Sequence, residues 1–181
     1  MSSKKLLDNK FYKIILYFFI YAFLGWALET LYAIYDVGYF YKRGFLYGPI
    51  CPIYGYGAII LVLFFSNYKK NSFKLFIYAG FIFSAFEYFV SYFLDACFKI
   101  KCWDYSNEFF NLNGRISIFF SIIWGIIAIL FVNKVHPFIE KNVNKILDYI
   151  PIKLQNLLLY TFVFIFITDT ILSCMKYLNL G

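Results

Sequence analysis

A single histidine and four cysteines leave little material for a metal centre. His136 stands beside a proline, and Cys51, Cys97, Cys102 and Cys174 show no ligand spacing. Neither a metal nor another cofactor is expected. Cys97 and Cys102 are close enough in sequence to pair, but read equally well as apolar filler. The chain has no P-loop, no H-E-x-x-H pair and no Ser-His-Asp set, so no catalytic residue is assigned. An ATP-driven role would need a separate ATPase subunit. Charge is scarce too: 15% of residues carry it, against about 25% in ordinary soluble domains. The net charge of +7 sits between apolar segments rather than along one face. That argues against nucleic acid, and for topology signals and contacts with anionic lipid.

What fills the chain instead is apolar. Hydrophobic residues make up 62% of its 181 positions, aromatic residues 25%, and mean hydropathy is +0.69. A soluble domain is about 45–50% apolar. The composition predicts an all-α integral membrane protein, a single multi-pass domain over residues 1–181. Each span needs about 20 residues, which allows a bundle of about five transmembrane helices. The spans are expected near 14–35, 50–66, 73–98, 116–132 and 157–175. Residues 133–156, mixed, basic and broken by Pro137 and Pro151, are expected to form a cytosolic amphipathic connector on the membrane surface. Lys4, Lys5, Lys10 and Lys13 lead into a span too long for a signal-peptide core, which predicts a retained first helix.

Proline and glycine are few but clustered. Two of four prolines and four of ten glycines lie in Arg43-Gly-Phe-Leu-Tyr-Gly-Pro-Ile-Cys-Pro-Ile-Tyr-Gly-Tyr-Gly57. Gly44, Gly48, Pro49 and Pro52 break regular helix, while the aromatic and aliphatic residues between them call for burial. A shaped loop covered by protein or a watery cavity fits both demands; an ordinary connector is the alternative. A second composed loop runs from Cys102 to Arg115, with Trp103, Asp104, Asn111, Asn113 and the turn residue Gly114. It reads as ligand contact, or as an interfacial anchor before the next helix. His136 reads as a surface residue.

Helical spacing puts Ala22, Gly25, Trp26, Glu29 and Ala33 on one face. In the third span, Gly80, Ser84, Glu87, Ser91 and Asp95 make a small and acidic stripe, which must face protein or water. Ser117, Ser121, Gly125 and Ala128 share a side of the fourth. An ionisable group at mid-membrane costs roughly 2.5–3.5 kcal/mol, so Glu29, Glu87 and Asp169 ask for a reason. One reading is a substrate or ion site; the other is structural pairing of Glu29 or Glu87 with Arg43 or Arg115. With the N-terminus inside, eleven of the seventeen basic residues fall on the cytosolic side and six outside. That favours an N-in, C-out topology. Both composed loops then lie outside, and Glu29, Arg43, Glu87, Asp95, Arg115 and Asp169 are expected to converge on one outward-opening polar cleft.

Phe23-Leu-Gly-Trp-Ala-Leu-Glu29, the Arg43–Gly57 run, and Trp103-Asp-Tyr-Ser106 through Asn111-Leu-Asn-Gly-Arg115 resemble the CmpB-like family of small bacterial membrane proteins. The resemblance covers about Leu16 to Gly125. It implies an ABC-transporter type IV permease in the bacterial cytoplasmic membrane, working with a separate ATPase subunit or as a homo-oligomer. Lys42, Asp95 and Cys102 depart from the expected Asn, Glu and aromatic residue. Three functions compete: a permease-like subunit moving a small solute, a membrane enzyme acting on a lipid or phosphate head group, and a non-catalytic membrane partner or regulator.

Overall fold

The first helix starts where Asn9 lends its side-chain oxygen to the Phe11 N–H at 3.0 Å, a local cap for a helix end. The computed structural model describes residues 9–69 and 71–178. In order, it contains α1 (Lys10–Val37), α2 (Pro52–Ile60), α3 (Ser72–Phe98), β1 (Asn111–Leu112), β2 (Ile116–Ser117), α4 (Ile118–Leu130), α5 (His136–Asp148) and α6 (Ile152–Tyr177). The expected all-α membrane architecture is present. Four stretches are long and apolar enough to cross a bilayer: Lys10–Val37, Ser72–Phe98, Ile118–Asp148 and Ile152–Tyr177. Pro52–Phe65 is apolar but shorter, about 20 Å at the helical rise against a hydrocarbon core of about 30 Å.

Residues 133–156, expected as an amphipathic connector, are almost entirely helical. α4 continues through a π turn at Phe131–Val135 directly into α5. Pro137 explains the widened turn, since a proline inside a helix donates no N–H and its ring crowds the preceding carbonyls. His136 is buried, with its ring 6.0 Å from that of Phe131, so it is not the surface residue expected. The chain breaks only at Pro151, where Gln155 donates its amide to the Leu147 and Ile150 carbonyls, both at 2.8 Å.

Chain contacts divide the protein into two compact units: the residues up to Ile59 with those from Glu140, and Ile60–Ile139. In the first unit α1, α2 and α6 pack through aromatic rings and glycines. Phe18 meets Tyr56 and Phe166, with centroids at 4.8 and 5.3 Å. A Cβ on Gly55 would stand 2.7 Å from the Phe18 ring, and one on Gly25 would overlap Tyr54. The small residues of α1 named above are what let α2 come so close.

The second unit is a hairpin of α3 and α4 around a core of Leu61, Phe65, Leu75, Ala79, Phe83, Ala128 and Val132. Its seam is the pair of small-residue stripes read from the sequence. The Ser84 and Ser121 hydroxyls meet at 2.6 Å, and a Cβ on Gly80 would lie 3.0 Å from the Ser121 carbonyl oxygen. A Cβ on Gly125 would lie 2.6 Å from the Phe76 ring and 2.9 Å from its carbonyl oxygen. Gly125→Leu is therefore expected to separate the two helices at a cost of about 1–3 kcal/mol. Ile126→Leu, on the exposed side of α4, should leave the detergent melting temperature unchanged.

Candidate functional site

The polar residues singled out above fall into two sets, one in each unit. In the first, the Gly/Pro passage leaves α1 at Gly38, whose φ of 78° closes the helix. It then folds back against the same unit. Leu46 and Cys51 are buried, and the Cys51 N–H donates to the Ala22 carbonyl in the middle of α1 at 2.9 Å. Asp169 on α6 accepts the backbone N–H groups of Tyr47 and Gly48 at 2.8 and 2.7 Å, and the Ser173 hydroxyl at 3.1 Å. Gly48 is needed here, because a Cβ would sit 2.9 Å from the carboxylate. Phe45 stacks on Tyr177 at 4.9 Å. Asp169 thus holds irregular backbone in place.

Glu29 accepts the hydroxyl of Tyr54. On the same helix, Trp26 Nε1 and Thr30 Oγ1 are buried without a hydrogen bond. In the Gly/Pro passage, Arg43 Nε is too. Elsewhere in these helices Ser84, Ser121, Thr168 and Thr170 each donate to the carbonyl four residues back, and Ser91 and Ser173 bond side chains instead. Arg43 lies over the Tyr41 ring at 5.5 Å. The expected pairing of Glu29 with an arginine is absent among the described residues.

The second unit carries Glu87, Asp95 and the loop before α4. Glu87 is 6% exposed and accepts Tyr105 Oη at 2.9 Å and Trp124 Nε1 at 3.0 Å. Its partners are neutral donors rather than Arg115. The Arg115 guanidinium instead bonds Asp95 at 2.6 Å and Ser91 Oγ at 3.1 Å, and lies over Tyr92. The stripe at 87, 91 and 95 is therefore where the loop docks on α3.

Several polar residues of the loop are bound within it. Trp103 Nε1 donates to the Arg115 carbonyl at 2.9 Å. Asn111 donates to the carbonyls of Ser106 and Glu108 and accepts the Gly114 N–H. Asn113 reaches Tyr88 Oη at 3.0 Å. Asn113 and Gly114 take left-handed backbone, with φ of 54° and 67°, and a Cβ on Gly114 would lie 2.7 Å from Asp104 Oδ1. Asp104 accepts the N–H and hydroxyl of Ser106. These bonds, the hydroxyl's first, hold its carboxyl below the usual aspartate range. Sequence reasoning missed Thr30, Tyr54, Tyr105 and Trp124. Each is one aromatic or hydroxyl residue among many, marked only by its partner or, for Thr30, by the lack of one. Among the described residues no disulfide joins the cysteines, and no group of acidic, histidine or cysteine side chains is arranged for a metal.

A family model described as "Putative ABC-transporter type IV" matches residues 16–174. The chain belongs to that family. The match runs beyond Gly125, where the motif resemblance stops, and takes in α6 with Asp169. No curated protein and no solved structure matches the chain. The family and the four apolar helices together make this a multi-pass membrane protein related to ABC transporters.

Two predictions follow from these bonds. Asp169→Asn replaces one acceptor by an amide that cannot accept an N–H, and charge-assisted bonds are worth about 1.5–3 kcal/mol each. The variant should melt several degrees lower in detergent, whereas Asp36→Asn, exposed near the end of α1, should not. A depressed folded-state value means Asp104 stabilises the loop at pH above the unfolded aspartate value of about 3.9, and loses that contribution as pH falls through the lower folded value. The stability gap between wild type and Asp104→Asn should thus stay constant from pH 7 to about pH 5 and close only in stronger acid.

Proposed function

We propose that this protein is a permease-like subunit that moves a small polar solute across the cytoplasmic membrane, with the Trp26–Glu29–Thr30 side of α1 on the solute's path. One observation carries the reading. Two buried polar atoms of a membrane-spanning helix, Trp26 Nε1 and Thr30 Oγ1, have no partner in the protein and flank a carboxylate on the same helix. A buried donor without a partner costs about 1–3 kcal/mol, and a threonine in a helix can avoid that by bonding the carbonyl one turn back. A residue that forgoes this bond is placed to serve a polar molecule that comes and goes. Family membership supports the transport class. The missing P-loop supports a separate ATPase subunit as the source of energy.

The other polar residues divide by their partners. Arg115, Asp95 and Asn113 are engaged in holding the loop on α3, and Trp103 and Asn111 in bracing it internally, which supports a structural role. Arg43, with its Nε unbonded, is left without such a structural account.

The test uses stability and function together. In a strain lacking the protein, growth across a panel of nutrients and toxic solutes should reveal a solute-dependent defect that wild type repairs. Thr30→Val removes only the hydroxyl. It should leave the detergent melting temperature equal or raised, because an unsatisfied group is lost, yet cut the repaired solute phenotype at least severalfold. Trp26→Phe should do the same. Full repair by both variants, or a deletion strain without any solute-dependent defect, overturns the proposal.

A further inference from the structure

At one end of the first unit, two cations crowd one ring. Lys42 Nζ and Lys176 Nζ each lie 5.0 Å from the centroid of Tyr47, and Lys176 is also 5.2 Å from the ring of Tyr177. Among the described residues, neither lysine has a carboxylate within ion-pair distance. Asp169 on α6, which lines the neighbouring hollow, already accepts the Tyr47 and Gly48 backbone N–H groups. Arg43, over Tyr41, adds a third positive charge. Contact with a ring face offsets only part of the mutual repulsion of two ammonium groups.

These lysines line a cavity of about 290 Å³ with Tyr47. A second, larger hollow of about 540 Å³ begins at the same Tyr47 and runs along α6 past Phe164, Ile165 and Leu172. That second hollow is almost wholly apolar, and its residues sit on a face of a membrane-spanning helix that the protein leaves exposed. Tyr47 is the hinge between the two, and its position is fixed by the Asp169 bond. A cationic cage that opens onto an apolar groove at the end of a membrane span has the polarity of one kind of molecule.

We propose that Lys42, Lys176 and Tyr47 bind the phosphate of an anionic phospholipid whose acyl chain lies in the α6 groove. Charge complementarity selects the head group, since two uncompensated lysines favour a phosphodiester with net negative charge over a zwitterionic one. The groove selects a lipid over a soluble anion. The site is separate from the α1 set and stands whether or not that set carries solute. Lipid bound here clamps the Gly/Pro passage to the end of α6, which makes it a stabiliser of the irregular backbone.

The purified protein in a non-ionic detergent is titrated with dioleoylphosphatidylglycerol, with dioleoylphosphatidylcholine and with inorganic phosphate. Melting temperature and native mass spectrometry are the readouts. Phosphatidylglycerol should raise the melting temperature in a saturable way and remain bound as one lipid, with an apparent affinity at least tenfold above that of phosphatidylcholine. The double variant Lys42→Gln/Lys176→Gln, at exposed positions, should melt as wild type without lipid and bind phosphatidylglycerol at least tenfold more weakly. Leu172→Trp, which fills the groove, should weaken phosphatidylglycerol with the lysines intact. Equal shifts by the two lipids, an equal shift by inorganic phosphate, or an unchanged double variant would each overturn the assignment. So would copies of the chain associating through α6 in place of bound lipid.

Discussion

Backbone that leaves the helix inside an apolar membrane has no water to bond to, and must find its partners in the protein. The passage from Tyr39 to Cys51 turns back along α1 as far as Ala22, and a few side-chain and carbonyl groups supply its partners. Asp169 takes two N–H groups, the Ala22 carbonyl takes a third, and Phe45 stacks on Tyr177. A carboxylate is well suited to this work. It offers two oxygens to two successive donors, and the charge it brings into the span is balanced by the bonds it receives. The presence of an acid in α6 thus has a physical cause before any solute is considered.

The same logic governs the loop between α3 and α4 with different chemistry. There the side chains of Trp103, Asp104, Asn111 and Asn113 supply the bonds that a longer ladder would give, beside a sheet of only two residues a strand. Arg115 ties the loop to Asp95 near the end of α3, where its side chain keeps 16% of its surface. Deeper along the same stripe, Glu87 is held by Tyr105 and Trp124. Two neutral donors satisfy a carboxyl without importing a second charge, which avoids desolvating a guanidinium as well.

Much of this was legible in the sequence, and the limits have physical causes. Composition alone identifies a multi-pass helical membrane protein, because 62% apolar residues have no other home. Periodicity found both faces of the α3–α4 seam, since a close helix contact demands small residues at fixed steps. Its readings of Gly80, Ser84 and Ser91 as inward-facing are met by their burial. The pairing of charges was not legible. Glu29 and Glu87 each had an arginine available in the sequence, yet took phenol and indole donors, and which aromatic lies within reach is decided by tertiary packing. The continuation of α4 into α5 was hidden for a related reason. Pro137 reads as a breaker, but a π turn one step earlier lets the helix absorb it.

The decisive distinction among the polar residues is then between those with protein partners and those without. Asp169, Asp95, Arg115 and the loop asparagines have partners that account for them, so their polarity needs no ligand to explain it. Thr30, Trp26 and Arg43 Nε do not, and neither do the lysines at Tyr47 lie opposite an acid. Each buried donor left unpaired costs about 1–3 kcal/mol, a sizeable share of a domain's net stability. A fold that retains them leaves bonds to be completed from outside the chain. The two kinds of unfilled bond differ in what completes them. Neutral donors beside a carboxylate within α1 match a polar solute, while bare ammonium groups above an apolar groove match the head and tail of a lipid.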